Sequence, residues 1–437
     1  MTDGIASDRS EAVFKDFKSG FSREQALVEA NRCFFCSDAP CIKACPTQID
    51  IPQFIRKITT GNVKGSARTI FESNILGMSC ARVCPVEVLC VSTCVYNGLD
   101  QPPIQIGKLQ RYSTDFAIAE GWRFFAAGPD SGKSVGLIGA GPASLACAHE
   151  LRRHGHRVTI YEKRTSVGGL NTTGVAPYKM KADCSVEEVA WILGIGGIEV
   201  KTGVTIGVDI AVKDLEQLHN AVFFGAGLGA DTKLRVPGEH LAGVHGAVEW
   251  IESMKLARVA TAGVQHCVVV GGGNTAIDAV REARGLGIPR VTMLYRGSEV
   301  KMSGYAHEWR SALPEGGCAE WQAIVTRFEG SQSVERLHCQ RLDAQKQPIS
   351  GSDFVLDAQL VLLAIGQSKL GTLLAGLEGI EIEGGRIVTD AHGSTGRKGW
   401  FAGGDCRNGG KEVVNAAAEG KSAALAIHAY FSGGKHA

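Results

Sequence analysis

Eight cysteines crowd between Cys33 and Cys94, in the order Cys33-x2-Cys36-x4-Cys41-x3-Cys45-Pro46 and Cys80-x3-Cys84-Pro85-x4-Cys90-x3-Cys94. Thiolates are soft ligands for iron and zinc, and eight of them suffice for two four-sulfur cages. Proline directly after Cys45 and Cys84 matches the ferredoxin style of ligand run, in which the last cysteine of a group often serves the other cluster. Structural zinc also uses Cys-x2-Cys, but only Cys33 and Cys36 have that spacing here, so two iron–sulfur clusters are expected. The other six cysteines, Cys147, Cys184, Cys267, Cys318, Cys339 and Cys406, have no ligand spacing and read as small apolar packing residues.

A second chemistry is written in glycines. From Val135 the sequence runs VGLIGAGPASLACAHELRRHGHRVTIYEK, a strand, a glycine loop, a helix and a second strand. Gly139, Gly141 and Ser144 stand where a dinucleotide fingerprint needs small residues, with Ala140, Pro142 and Ala143 completing the loop. Glu162 ends the second strand, where a carboxylate can accept hydrogen bonds from ribose hydroxyls, while the pyrophosphate would sit on amides at the helix N-terminus. Gly168, Gly169 and Leu170 follow, and near the C-terminus FAGGDC places Gly404 and Asp405 ahead of a helical stretch that includes Val413. Asp405 is then a candidate acceptor for a ribityl hydroxyl.

The pattern repeats from Cys267 to Arg296, with Gly271, Gly272, Gly273, Asn274 and Thr275 at the loop. Here the second strand ends in Tyr295 and Arg296 rather than an acid. An arginine pairs with a 2′-phosphate that a carboxylate would repel, so this site leans toward NADPH over NADH. No histidine forms a nucleophile or zinc pattern, and His307-Glu308 in GYAHEW has no role that the sequence explains.

These features need domains to position them. At 437 residues the chain suits two or three. The expected fold is α/β, with a helical iron–sulfur module ahead of two Rossmann-like, doubly wound domains, the second inserted in the first. The expected bounds are 1–118 for the module, 130–247 and 371–437 for the two parts of the first nucleotide domain, and 248–370 for the second. Ile51 to Phe71 reads as helical. Lys plus Arg number 46 against 45 Asp plus Glu, so no field draws the chain to nucleic acid. No apolar run reaches the ~18 residues of a membrane span, and no leader pattern opens the chain, so a cytoplasmic location is expected.

With module and both loops in this order, nearly the whole chain resembles the small subunit of bacterial glutamate synthase and the flavin subunit of NAD(P)-dependent dihydropyrimidine dehydrogenase. GAGPAS, GVAPYKMKAD, WILGIGGIEV and PIQIGKLQRY are more similar to the second branch. The resemblance implies two [4Fe-4S] clusters, one on Cys33, Cys36, Cys41 and Cys94, the other on Cys45, Cys84, Cys90 and Gln110. That leaves over Cys80, which cysteine counting alone would choose as the eighth ligand. It also implies FAD contacts at Gly139 to Ala143, Glu162 to Leu170, Lys179 and from Asp405, and nucleotide contacts at Gly272 to Thr275, Arg296, Ala364, Ile365 and Gly366. Where NADPH-using relatives carry a second arginine, this chain has Ser303, which leaves NADH open. The implied activity is hydride transfer from NAD(P)H to FAD and single-electron delivery to a second, FMN-containing subunit that reduces uracil or thymine. The alternatives are electron supply for glutamate formation, a zinc-stabilised stand-alone dehydrogenase, and a non-catalytic nucleotide-binding assembly protein.

Overall fold

In the computed structural model of the chain, residues 5–374 and 377–433 are described. The cysteine-rich module is helical. Its helix Arg23–Asn31 opens on a capping box between Ser22 and Gln25. Helices Ile51–Thr59 and Val63–Ser73 open on Asp50 and Asn62, whose side chains accept the Gln53 and Gly65 amides. The stretch from Ile51 to Phe71 is therefore two helices, parted at Gly61, whose φ of +73° ends the first. Helices Gly77–Val83 and Ile106–Ala119 complete the module, and Phe54, Ile55, Ile70, Phe71, Leu76 and Leu109 form its interior.

The first nucleotide domain has a parallel sheet. Strands β1 (Ser134–Ile138), β2 (Arg157–Glu162), β3 (Ile198–Thr202) and β4 (Ala221–Phe224) are joined by a strand from the far end of the chain. The second domain interposes β5 (Val244–Gly246), β6 (His266–Val270), β7 (Arg290–Tyr295) and β8 (Gly317–Trp321). An antiparallel layer of β9 (Ala323–Glu329), β10 (Arg336–Leu342) and β11 (Pro348–Asp357) precedes β12 (Leu360–Leu363). A short hairpin of β13 (Ile382–Glu383) and β14 (Arg386–Ile387) follows, then β15 (Trp400–Ala402). The orders are β15-β4-β1-β2-β3 and β5-β12-β6-β7-β8. β5 pairs with β12 in the second sheet, so that sheet begins ahead of residue 248.

β1, β4, β6 and β12 are buried almost throughout, as strands covered on both faces must be. Helix Pro142–Arg153 and the C-terminal helix Val413–Phe431 pack together. A Cβ at Gly420 would stand 2.0 Å from the Ala143 carbonyl oxygen, so only glycine allows that approach.

The three parts are tied. Glu188, fully buried on helix Ala182–Leu193, accepts the Met78 amide at 2.8 Å and that of Ser79 at 3.2 Å, at the start of the helix that carries Cys80 and ends just before Cys84. Burial pushes its carboxyl up to about 7, against the opposing pull of those hydrogen bonds. The N-terminal segment lies across both nucleotide domains. The Ala6 amide donates to Leu256 O at 2.8 Å and the Phe17 amide to Tyr178 O at 2.9 Å, with Phe14 buried between them. Among the described residues no helix is long and apolar enough to cross a membrane.

Candidate functional site

The ends of β1, β2, β4 and β15 open onto a cavity of about 1130 Å³, the crevice at which open α/β sheets bind ligands. Gly139, Ala140, Gly141, Pro142, Ala143, Glu162, Gly169, Leu170, Lys179, Gly404, Asp405 and Val413 all line it. Gly168 stands beside this wall; its amide donates to Ala140 O at 2.9 Å. Gly139 has φ +88°, and a Cβ at Gly169 would stand 2.9 Å from the Cα of Gly141, so backbone meets backbone where a pyrophosphate needs room. Glu162, 6% exposed, accepts the Ala140 amide at 2.8 Å through one oxygen and the Arg164 amide at 2.8 Å through the other. It thereby fixes the loop as well as offering lone pairs to the crevice. Burial pushes the Asp405 carboxyl up to about 6, with the Lys411 amide opposing. A cradle this long, with a helix N-terminus at one end, fits FAD.

The second domain supplies the facing wall with Asn274, Asp278, Tyr305 and Glu308. Gly272, Gly273, Thr275, Arg296, Ala364, Ile365 and Gly366 lie outside the cavity, around the second loop. A Cβ at Gly271 would meet Ala364 O at 2.2 Å, and Ser303 donates its hydroxyl to Gly272 O at 3.2 Å. Arg296 is exposed. Lys179 stands 2.9 Å from both Asp278 and Glu308. Burial opposes its charge, but the two carboxylates outweigh burial and hold the ammonium above the usual lysine range. Tyr178 donates its hydroxyl to Asp278, and Tyr305 donates to Glu412 at 2.7 Å. Asp278, Tyr305 and Glu412 are site residues that sequence patterns do not reveal. Glu308 stands in the unexplained GYAHEW stretch, and its neighbour His307 lies 3.5 Å from Glu87, between Cys84 and Cys90.

Cys33, Cys36, Cys41 and Cys94 line one small cavity with Phe34, Pro40, Ile51, Ile55 and Tyr96. Burial, then Cys33 and Cys94, push the Cys41 thiol up to about 12. Cys45, Cys80, Cys84 and Cys90 form a second group. The Cys84 thiol is raised first by the neighbouring Cys80, then by burial and by Cys90 and Cys45. Burial, then Cys45, take Cys90 to about 12. Gln110 is buried and donates to Gly77 O at 2.8 Å, at the start of the helix that carries Cys80. Among the described residues no three His, Cys, Asp or Glu side chains converge to hold a single metal ion. Two thiol groups spread this way fit clusters, whose ligands reach separate irons. Val83 and Pro85, on either side of Cys84, line the large cavity itself.

Residues 9–122 match the family described as dihydropyrimidine dehydrogenase domain II, 4Fe-4S cluster, and residues 133–420 match pyridine nucleotide-disulphide oxidoreductase. The chain belongs to the pyridine nucleotide-disulphide oxidoreductases. It is an NAD(P)H-dependent flavin and iron–sulfur electron-transfer oxidoreductase. Relatives include the NAD-dependent dihydropyrimidine dehydrogenase subunit PreT of Salmonella typhimurium, 33% identical over 94% of this chain and 95% of its own length. The glutamate synthase [NADPH] small chain of Azospirillum brasilense is 31% identical over 95% of this chain and 91% of its own. Both are named as parts of larger enzymes. Two solved structures share the fold. FprA of Mycobacterium tuberculosis has a TM-score of 0.56 at 17% identity, over 69% of this chain and 85% of its own. Thioredoxin reductase of Lactococcus lactis has 0.55 at 21%, over 69% and 99%.

Proposed function

We propose that the chain is the electron-input subunit of a two-subunit enzyme that reduces uracil or thymine. NAD(P)H is its electron source and an FMN-containing subunit its acceptor. The observation that carries the input role is that Val83 and Pro85, flanking Cys84, share the cavity walled by Gly139–Ala143 and Asp405. A redox cofactor there lies against the cysteine module without an intervening layer of protein. FAD, when bound, supplies hydride acceptance and single-electron release; the chain supplies position and electrostatics. In this reading the Gly139–Ala143 loop and its helix N-terminus hold the pyrophosphate, Glu162 the ribose and Asp405 the ribityl chain. Gly272, Gly273, Asn274, Thr275, Arg296 and Ala364 to Gly366 take the nicotinamide nucleotide.

Cys33, Cys36, Cys41 and Cys94 hold the distal cluster and Cys45, Cys84, Cys90 and Gln110 the proximal one. Cys80, one helical turn ahead of Cys84 and packed in the same apolar cluster, supports a second set with Cys80 in place of Gln110. Electron paramagnetic resonance of the reduced protein separates the two: Gln110→Ala alters the proximal signal in the first case, and Cys80→Ala does so in the second.

The pyrimidine substrate draws on the relatives named PreT, and the glutamate synthase chains support the rival partner at nearly the same identity. The test is anaerobic co-purification from the native host, followed by assay of the complex. Uracil-dependent NAD(P)H oxidation supports the proposal. A glutamine-using partner with 2-oxoglutarate-dependent oxidation overturns it.

A further inference from the structure

Residues 303–305, just ahead of helix Ala306–Ala312 in the GYAHEW stretch, lie directly on the second glycine loop. The Ser303 hydroxyl donates to Gly272 O at 3.2 Å, the Gly304 amide donates to the same oxygen at 2.9 Å, and the Tyr305 amide donates to Asn274 Oδ1 at 2.9 Å. A Cβ at Gly304 would stand 3.1 Å from the Gly273 carbonyl carbon, so loop and segment pack closely. The Tyr305 side chain leaves this segment for the other domain. Its hydroxyl donates to Glu412 at 2.7 Å, and its ring stacks on that of His307 with centres 5.7 Å apart. Burial, then the bond to Glu412, raise the phenol, so the hydroxyl keeps the proton it donates. Glu412 stands at the head of helix Val413–Phe431, where its carboxylate could accept the helix's own amides, yet it caps none of them. The acid is turned to Tyr305 instead.

This link lies on the route a nucleotide must take. Asn274, Tyr305 and Glu412 line the large cavity, whereas Gly272 and Gly273 lie outside it. A nucleotide whose phosphates rest on the second loop therefore reaches the cavity past Asn274 and Tyr305. A hydride moves only between carbons brought to roughly 3–3.5 Å, with nothing between them. A hydrogen bond strung from the nucleotide wall to the flavin wall at that passage has to open first.

We propose that Tyr305 and Glu412 form a gate between the second glycine loop and the flavin cavity, closed by their hydrogen bond and opened by the nicotinamide end of NAD(P)H. The inference rests on reading the large cavity as the flavin site and the second loop as the nucleotide site. Part of the nucleotide's binding energy is spent on parting the pair, so the pair sets the affinity. The nicotinamide end is common to NADH and NADPH, and the gate weakens both alike, whereas Arg296 addresses only the 2′-phosphate.

The test is calorimetric titration of the whole, flavin-loaded protein with NADP+ and with NAD+, for the native chain, Tyr305→Phe and Glu412→Gln. Removing the phenol hydroxyl lowers both dissociation constants about tenfold, since one charge-assisted hydrogen bond no longer has to break. Glutamine still accepts from Tyr305 but without charge, and lowers both by a smaller factor. A pair that merely held the two domains together would leave binding unchanged or weaken it on substitution, and either result overturns the gate. Tightening for one nucleotide alone overturns it as well. Native protein that carries flavin and binds both nucleotides, with variants that do not tighten, sinks the gate and leaves the site reading standing. Native protein that binds neither nucleotide sinks both.

Discussion

The two glycine loops are built on one plan and finished differently. In the first, the acid at the end of β2 is buried and clamps its own loop through the Ala140 and Arg164 amides. In the second, the end of β7 carries the Tyr295 ring against Gly272 and an exposed Arg296, and among the described residues no carboxylate clamps the loop. A loop fixed by its own strand suits a cofactor that stays, and a looser one with a cation at its mouth suits one that comes and goes. The helices differ likewise. Glu150 and Glu282 occupy the same place after their loops, yet Glu150 meets Arg153 at 3.0 Å while both oxygens of Glu282 are buried without a partner.

The contrast breaks first at the tight turns. Gly139→Val puts a branched side chain at φ +88°, with its Cβ 2.8 Å from Gly225 O. Nearly all bound flavin is expected to be lost, read as flavin absorbance per protein. Gly271→Ala at φ +147° drives a Cβ to 2.2 Å from Ala364 O. Here flavin is retained and its reduction by NAD(P)H slows at least roughly tenfold in stopped flow, since backbone displacement of this kind costs about 1–3 kcal/mol. Equal loss of flavin in both variants would remove the distinction between resident and visiting cofactor.

Arg296→Ala sharpens the second loop. The ratio of kcat/KM for NADPH over NADH falls about tenfold, as losing one charge-assisted hydrogen bond worth roughly 1.5–3 kcal/mol requires. An unchanged ratio marks Arg296 as a solvated surface residue.

The smallest effect is Glu282→Gln. Burial holds the Glu282 carboxyl well above its ordinary 4.5, so the folded state keeps a proton that the unfolded chain gives up. Its stabilising contribution is therefore full below about pH 4.5 and is lost as pH rises toward the folded value. The glutamine variant should show a flatter dependence of urea midpoint on pH above 4.5. Glu150→Gln, which loses only partly exposed ion pairs, should change stability by less than about 1 kcal/mol.

Much of the architecture was legible because it rests on local order. Cysteine spacing announces the metal chemistry, and each strand, glycine loop and helix is contiguous. What the sequence hid lies in tertiary meetings. Lys179 and Glu308 are 129 residues apart, and nothing near either names the other. Glu188 reads as one more acid on a helix until the fold sets it against the Met78 and Ser79 amides. The short strand β5 escaped because three residues carry no period, and Gly61 divided a helical stretch whose apolar spacing continues across it.

The order of strands in the first sheet also governs how the protein is made. β4 has β15 as its outer neighbour, and β15 emerges from the ribosome only after the entire second domain. Until then β4 presents an open edge, and the helix from Val413 that packs on Pro142–Arg153 does not exist. Asp405 and Val413, which close one wall of the large cavity, arrive in the same late stretch. A chain cut before residue 400 would lack that wall and leave β4 with an open edge, a template for association with other chains.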